Sequence, residues 1–133
     1  MGNLVLELKP GEMMVINGAP IRFRNKSTIE LAARARFLFG KQLMARHEAD
    51  SPARRIYYAV QEVYIGADEA RPAALVRLGD LIAMFRDATT SAAARIILDL
   101  LHASARADDC YTALKLARRI MRHEDAVLRP KVV

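Results

Sequence analysis

The chain has 133 residues, 53% of them hydrophobic, with a formal net charge of +6 and a pI near 9.9. This length fits one compact domain, or a small lobe joined to a larger one. A basic balance favours anionic partners such as nucleic acid or a membrane surface. The excess is uneven: residues 1–55 hold ten Lys and Arg against five Asp and Glu, whereas residues 56–133 hold eleven against ten.

The cysteine content and the apolar segments indicate the compartment. Cys110 is the single cysteine, so no intrachain disulfide can form, which suits a reducing cytosol. The first eight residues lack the basic and apolar regions of a secretory signal. The most apolar later stretch, residues 96–101, is interrupted by Asp99 and is far too short to cross a bilayer. We therefore expect a soluble, cytoplasmic protein without a membrane partner.

The N-terminal part shows the period of two that is typical of β-strands. Residues 4–8 alternate, with leucine at every second position, and residues 13–16 form a second short apolar run. Pro-Gly at positions 10–11 suits a type II turn, and Asn-Gly at positions 17–18 suits a type I′ hairpin turn. Residues 21–24 then alternate between apolar side chains and arginine.

Residues 27–37 fit two structures. Residues 27–30 read Ser-Thr-Ile-Glu, which matches a capping box at the start of a helix. The β-branched pair at 28–29 and the alternation of arginine with apolar residues over 34–37 favour strands instead. We predict strands for this stretch.

After residue 50 the pattern becomes helical, and four helices are predicted. Their start signals are Ser51 with Pro52, Pro72, Ser91, and Asp108 or Asp109. Gly66 ends the first helix, and Pro130 prevents continuation of the fourth. The stripes predicted to pack inward are Ile56, Val60, Val63 and Tyr64 in the first helix, Leu75, Leu78, Ile82 and Phe85 in the second, Ile97, Leu100 and Leu101 in the third, and Ala113, Leu114, Ala117 and Met121 in the fourth.

The predicted fold class is α+β. A small antiparallel β lobe spans residues 1–46, a bundle of about four helices spans residues 47–128, and residues 129–133 form a tail, all in one compact unit. A sheet this small with an open edge favours a homodimer or higher homo-oligomer through edge pairing.

Signatures of an enzyme are absent from the sequence. His47, His102 and His123 are far apart, and none has a partner at the spacing of a metal site. Cys110 lies in no nucleophile motif, and no phosphate-binding glycine loop is present. We predict no catalytic residues, no metal and no cofactor. The methionines are interpreted mostly as core filler, with a groove for a partner helix as the alternative; they include Met13, Met14, Met44, Met84 and Met121.

Arginines two positions apart on a strand point to the same face. This applies to Arg22 with Arg24 and to Arg34 with Arg36. If the two segments share a sheet, four guanidiniums line one face, with Ile21, Phe23, Ala35 and Phe37 towards the core. Such a face suits single-stranded RNA, because arginine binds phosphates and stacks on unpaired bases. The alternative is an ordinary solvated face.

A second basic cluster lies where the two parts of the chain meet. Arg54 and Arg55 open the first helix, and Tyr58 lies on their face, three and four residues later. Lys41 and Arg46 precede them. Tyr58 either stacks on a base or packs against the neighbouring lobe. The stripe on the last helix, favoured as a solvated face, consists of Lys115, Arg118, Arg119 and Arg122.

Four segments resemble the FlbT family of flagellin regulators. Residues 6–12 read LELKPGE and residues 16–19 read INGA, like the family's "ELKPGE" strand and "INGA" hairpin. Residues 48–61 are similar to the family's "EADTPCKRIYFAVQ" helix start, although Ala53 stands where the family has cysteine. Residues 111–118 read YTALKLAR and resemble the "YYALKLAR" of its last helix. The order and approximate spacing match over nearly the whole chain.

The resemblance implies a post-transcriptional regulator of flagellin synthesis rather than an enzyme. It implies binding to the 5′ untranslated region of flagellin mRNA, with reduced translation and faster decay, although some family members act positively. It also implies a functional link to FlaF, a second flagellin-specific protein. The RNA-binding residues predicted from the charge pattern are Arg22, Arg24, Arg34, Arg36, Arg54, Arg55 and Tyr58. The alternative is a protein-interaction module that binds flagellin or a FlaF-type partner and affects mRNA indirectly.

Overall fold

The computed structural model describes residues 4–32 and 35–128, and the predicted α+β class is confirmed. Five short strands precede four helices. The strands are β1 (Leu4–Leu8), β2 (Met13–Ile16), β3 (Ala19–Arg22), β4 (Ser27–Leu31) and β5 (Phe37–Phe39). The helices are α1 (Pro52–Ile65), α2 (Arg71–Ala88), α3 (Ala92–Arg106) and α4 (Cys110–Leu128). The predictions for Arg34, Pro130 and the tail at 129–133 lie outside the described residues.

The β lobe consists of two antiparallel sheets packed face to face. One sheet pairs β1 with β4, and the other has the order β3-β2-β5. Leu6, Leu8 and Met14 are buried between them. Six partly buried side chains complete this small core: Ile16, Phe23, Ile29, Leu31, Phe37 and Phe39. The strand predicted at the ambiguous residues 27–30 is therefore confirmed, because Ile29 lies opposite Leu6 in the β1–β4 pair.

Both glycine turns have the geometry that the sequence predicted. Gly11 has φ +84°, and the Glu12 N–H donates to the Lys9 carbonyl at 3.1 Å, as in a type II turn. Asn17 and Gly18 have φ +47° and +84° between the paired ends of β2 and β3, as a type I′ hairpin requires.

One face of the three-stranded sheet packs on the two-stranded sheet, and its opposite face packs on the helical bundle. Along β5, Phe37 and Phe39 pack into the lobe, whereas Leu38 packs into the bundle core together with Val15 of β2. Alternation along the strand makes this two-sided packing possible. Two side chains of α1 fix the segment that follows β5. The Tyr57 hydroxyl donates to the Gln42 carbonyl at 2.7 Å, and the Gln61 amide bonds the backbone of Met44 at 2.8 and 3.0 Å.

The helix starts follow the predicted caps. Ser51 Oγ accepts the Arg54 N–H at 3.2 Å, and Ser91 Oγ accepts the Ala94 N–H at 3.1 Å. Of the two predicted starts of α4, Asp109 is correct, since it accepts the Thr112 N–H at 3.4 Å. Asp108 precedes it with φ +62°.

Three apolar side chains predicted to be inside are exposed. Ile21 is 39% exposed on β3, and Leu100 is 53% exposed because Leu98 and Leu101 take the inward positions of α3. Met84 is 68% exposed and is not core filler. Among the described helices, none is long and apolar enough to cross a membrane.

Candidate functional site

The structure places Arg22 and Arg24 at one end of the three-stranded sheet. Arg22 is the last residue of β3, opposite Met13, and is exposed. The Phe23 N–H donates to the Glu12 carbonyl at 3.0 Å, so the pairing continues one residue further and Arg24 lies exposed beyond it. Within the described part of the chain, neither arginine forms an ion pair.

Arg36 lies at the opposite end of that sheet. Its backbone N–H donates to Asn17 Oδ1 at 3.0 Å. Arg22 lies opposite Met13, and at roughly 3.3 Å per residue Asn17 is about 13 Å further along the chain of β2. The Arg36 guanidinium donates to Asp108 at 2.6 Å and lies 5.9 Å from the Tyr64 ring centroid. The structure thus separates Arg22 from Arg36, and the other predicted member of this face, Arg34, lies outside the described residues.

The Arg36–Asp108 ion pair shifts the pKa of both side chains. The hydrogen bond and charge of Asp108 raise the pKa of Arg36 above its usual value, and the same hydrogen bond lowers the pKa of Asp108. The pair joins the start of β5 to the loop between α3 and α4. Arg36 therefore contributes to the packing of the lobe on the bundle.

Arg54 is likewise engaged within the protein. Its Nη1 lies 3.4 Å from Asp125 Oδ1 and 3.6 Å from Glu124 Oε1. Glu124 is 5% exposed, and its Oε2 accepts the Ala53 N–H at 2.8 Å. A carboxylate from α4 thus caps the first turn of α1, where helix N–H groups lack intrahelical partners.

Arg55 and Tyr58 face outward on the other side of α1 and line a concave pocket of about 490 Å³, called the basic pocket below. Arg46 and Arg77 line it too, together with Glu62. The complete lining is Arg46, Ala49, Arg55, Tyr58, Ala59, Glu62, Arg77 and Leu81. Arg77 pairs with Glu62 at 3.3 Å, whereas Arg46 and Arg55 form no ion pair in the described residues.

The basic pocket combines three guanidiniums with one carboxylate and one aromatic ring. Guanidiniums bind phosphate oxygens in a bidentate manner, and a tyrosine ring offers a stacking surface for a base. Tyr58 is half-buried, so it both packs in the pocket wall and keeps part of its surface accessible. Sequence reasoning noted Arg46, Arg55 and Tyr58 but missed Arg77, because nothing local in α2 indicates which outward arginine meets α1.

A second concave surface, called the apolar groove below, lies beside the basic pocket. It has a volume of about 580 Å³. Its lining is Pro52, Arg55, Leu81, Met84, Phe85, Ala88, Thr89, Thr90, Ser91, His123, Glu124, Val127 and Leu128. Arg55 and Leu81 belong to both surfaces. Three large apolar side chains stand open to solvent at the groove, with Met84 68%, Val127 63% and Leu128 66% exposed.

The basic stripe on α4 contacts aromatic rings of the protein. Lys115 lies 4.8 Å from the centroid of the Tyr111 ring, and Arg118 lies 5.7 Å from that of Tyr57. Arg118 also donates to the Tyr57 hydroxyl at 3.3 Å. Lys115, Arg118, Arg119 and Arg122 are all exposed. The stripe lines neither the basic pocket nor the apolar groove.

Comparison with known proteins identifies the family. Residues 4–128 match the family described as "Flagellar protein FlbT". The chain belongs to the FlbT family. It is 38% identical over 120 residues to the "Probable flagellum biosynthesis repressor protein FlbT" of Mesorhizobium japonicum, covering 88% of this chain and 79% of the relative. It is 31% identical over 130 residues to the "Flagellum biosynthesis repressor protein FlbT" of Caulobacter vibrioides, covering 92% and 86%. No solved structure matches.

Membership of the FlbT family supports a regulatory role in flagellar synthesis, since this is a family of regulators rather than of known enzymes. No group of three or more His, Cys, Asp or Glu within residues 4–32 and 35–128 could hold a metal. Cys110 is buried, and burial raises its thiol pKa, which disfavours the thiolate that a nucleophile needs.

Proposed function

We propose that this protein regulates flagellin synthesis by binding the 5′ untranslated region of flagellin mRNA in the cytoplasm. In this role it represses translation and promotes decay of the message. Family membership supports the flagellar assignment, and the relatives' names support repression. The observation that carries RNA binding is the basic pocket, where Arg46, Arg55 and Arg77 surround one concavity beside Tyr58.

The predicted RNA contacts differ in how exposed they are and in whether they are already ion-paired within the protein. Arg55 and Tyr58 are the central contacts of the proposal, and Arg46 is added to them. Arg77 lines the same pocket but is paired with Glu62 at 3.3 Å, so it is a weaker contact. Arg22 and Arg24 form an exposed secondary patch on the lobe, which in this proposal contacts a further stretch of the phosphate backbone.

Arg36 and Arg54 are less available for RNA. Contact with RNA would require each to give up a carboxylate partner within the protein. An arginine already bonded to a carboxylate gains less from a phosphate, because it exchanges one anion for another.

A gel-shift titration tests the function. Purified protein is mixed with the flagellin 5′ leader or with a scrambled RNA of the same composition, at low and at physiological salt. The proposal predicts a leader-specific shift that persists at physiological salt. Equal shifts on both RNAs that disappear with salt indicate non-specific attraction by a basic surface and refute the proposal.

A protein-interaction role is the second candidate function, and the apolar groove is the observation that favours it. Exposed apolar surfaces of this kind mark sites of protein contact. In this role the protein binds flagellin or a FlaF-type partner and affects the mRNA indirectly. Calorimetric titration with purified flagellin tests this role. Binding that tolerates salt supports it. If no heat of binding is detected at protein concentrations of tens of micromolar, flagellin is rejected as the partner.

A further inference from the structure

The apolar groove lies between three helices. Met84, Phe85 and Ala88 come from the last turns of α2, and His123, Val127 and Leu128 come from the last described turns of α4. Pro52 and Arg55 of α1 close one end, and residues 89–91, before α3, close another. The ends of α2 and α4 thus form two walls with apolar side chains between them. A groove of this kind can bind an amphipathic helix of another protein.

The groove is apolar where a partner's side chains would enter. Leu81 and Phe85 are partly buried and pack on the bundle core, so they form a fixed floor. Met84, Val127 and Leu128 stand at the rim, and each is more than 60% exposed. Methionine suits a surface that adapts to a partner, because its side chain is unbranched and flexible. A helix with apolar residues at spacings of three, four and seven matches this arrangement.

The charged residues that line the groove indicate which charge a partner carries. Arg55 lines the groove and is exposed, and His123 lines it from α4. Glu124 is the single carboxylate among the lining residues, and at 5% exposure it is hidden from a partner. Its Oε2 accepts the Ala53 N–H, and its Oε1 lies 3.6 Å from Arg54 Nη1. The exposed charge among the residues that line the groove is therefore the positive charge of Arg55.

We infer that the apolar groove binds an acidic amphipathic helix of a partner protein. The apolar side of that helix contacts Met84, Phe85 and Val127, and a carboxylate at its end pairs with Arg55. A second copy of this chain is a poorer occupant, because a chain of net charge +6 would bring like charges to a basic rim. The inference specifies the partner chemistry of the second candidate function and does not depend on RNA binding.

A displayed peptide library tests the inference. Helical peptides of about 16 residues carry fixed leucines at the spacings above, and their flanking positions vary among acidic, basic and neutral residues. The library is selected on the full chain, and enriched peptides are titrated by fluorescence anisotropy. We expect enrichment of Asp and Glu at the flanks.

Matched variants locate the binding surface. Met84→Asp should weaken the enriched peptides by roughly tenfold or more, because it places a charge against their apolar face. Val76→Asp is the control, since Val76 is 65% exposed on the same helix and does not line the groove. It should leave the affinity within about twofold, as expected for a substitution outside the contact. Both sites are exposed, so neither variant should unfold the bundle.

Several outcomes would overturn the inference. These are no enrichment, enrichment of basic peptides, and equal effects of the two substitutions. Self-association of the full chain that Met84→Asp abolishes would assign the groove to a second copy. Peptide binding by a variant ending at Leu128 but not by the full chain would assign it to residues 129–133. RNA affinity measured on Met84→Asp keeps the two functions separable, since Met84 does not line the basic pocket.

Discussion

Arg36 of the β lobe and Arg55 of the helical bundle use their charges differently. In the lobe, Arg36 is bonded to Asp108 and helps to hold the lobe against the bundle. In the bundle, Arg55 lines a pocket open to solvent. The same contrast occurs within one helical turn, because Arg54 is paired with Glu124 and Asp125 while its neighbour Arg55 forms no ion pair in the described residues.

This contrast shows that a basic residue is a candidate for ligand binding only if the fold leaves its charge unused. Among the described residues, the lobe's own core has three buried side chains, Leu6, Leu8 and Met14, so the lobe depends on ties to the bundle. Arg36 is one of those ties. The bundle has a large core of its own and can leave Arg55 exposed for another partner.

The largest predicted effect sharpens the comparison of the two cores. Leu98→Ala should lower the free energy of unfolding by about 3 kcal/mol, because Leu98 is 0% exposed and a cavity would remain in a tightly packed bundle. Leu8→Ala should cost less, roughly 2 kcal/mol, because the small lobe can collapse around the lost volume. Urea titrations followed by circular dichroism measure both values.

The control for this pair is Leu100→Ala. Leu100 lies on the same helix as Leu98 but is 53% exposed, so its replacement should change the unfolding free energy by less than about 0.5 kcal/mol. A loss as large as that of Leu98→Ala would mean that the outer face of α3 is buried in solution.

The next effect concerns the corner that positions Arg55. Glu124→Ala should destabilise the protein by about 2 kcal/mol, because the Ala53 N–H loses its acceptor in a buried setting. Asp125→Ala should cost less than about 1 kcal/mol, since the Asp125 side chain is 44% exposed and its pair with Arg54 is screened by solvent. Thermal melts of the two variants measure the two losses of stability. Equal losses would show that Glu124 does not cap α1.

The smallest effect concerns the tie between the lobe and the bundle. Asp108→Asn retains a residue that tolerates the positive φ of this position but removes the charge bonded to Arg36. The expected loss at neutral pH is below about 1 kcal/mol, because the Asp108 side chain is 58% exposed.

The pH dependence of this loss follows from the pKa shift. The pKa of Asp108 is lowered in the folded protein, so its contribution is present above the unfolded value of about 3.9 and disappears as pH falls through the folded pKa. The difference in melting temperature between the original chain and Asp108→Asn should therefore shrink in acid. A difference that grows below pH 4 would contradict the pairing.

Much of the fold could be predicted from local signals. The caps at Ser51 and Ser91 and the hairpin at 17–18 act over three or four residues, so the sequence itself contains the necessary information. The split of the strands into two sheets was not predicted. It depends on which distant strand β1 joins, and the pairing of Leu6 with Ile29 has no local signature.

The site was predictable to a smaller extent for the same reason. Arg36 and Arg54 look as available as Arg55 in the sequence, because their partners Asp108 and Glu124 lie about seventy residues away. Arg77 joins the basic pocket through the packing of α2 on α1 and carries no motif. The exposure of Met84 likewise results from how the ends of three helices meet at the apolar groove.

The most direct test of the central claim compares RNA affinity between two doubly substituted proteins of equal charge. One carries Arg46→Ala and Arg55→Ala in the basic pocket. The other carries Arg106→Ala and Arg122→Ala, at exposed positions outside it. Leader RNA binding is measured by anisotropy over a range of salt. The account predicts a loss of roughly tenfold or more for the pocket protein, with a salt slope reduced by about 1.4, and a change within about twofold for the control. Equal losses in the two proteins would contradict it.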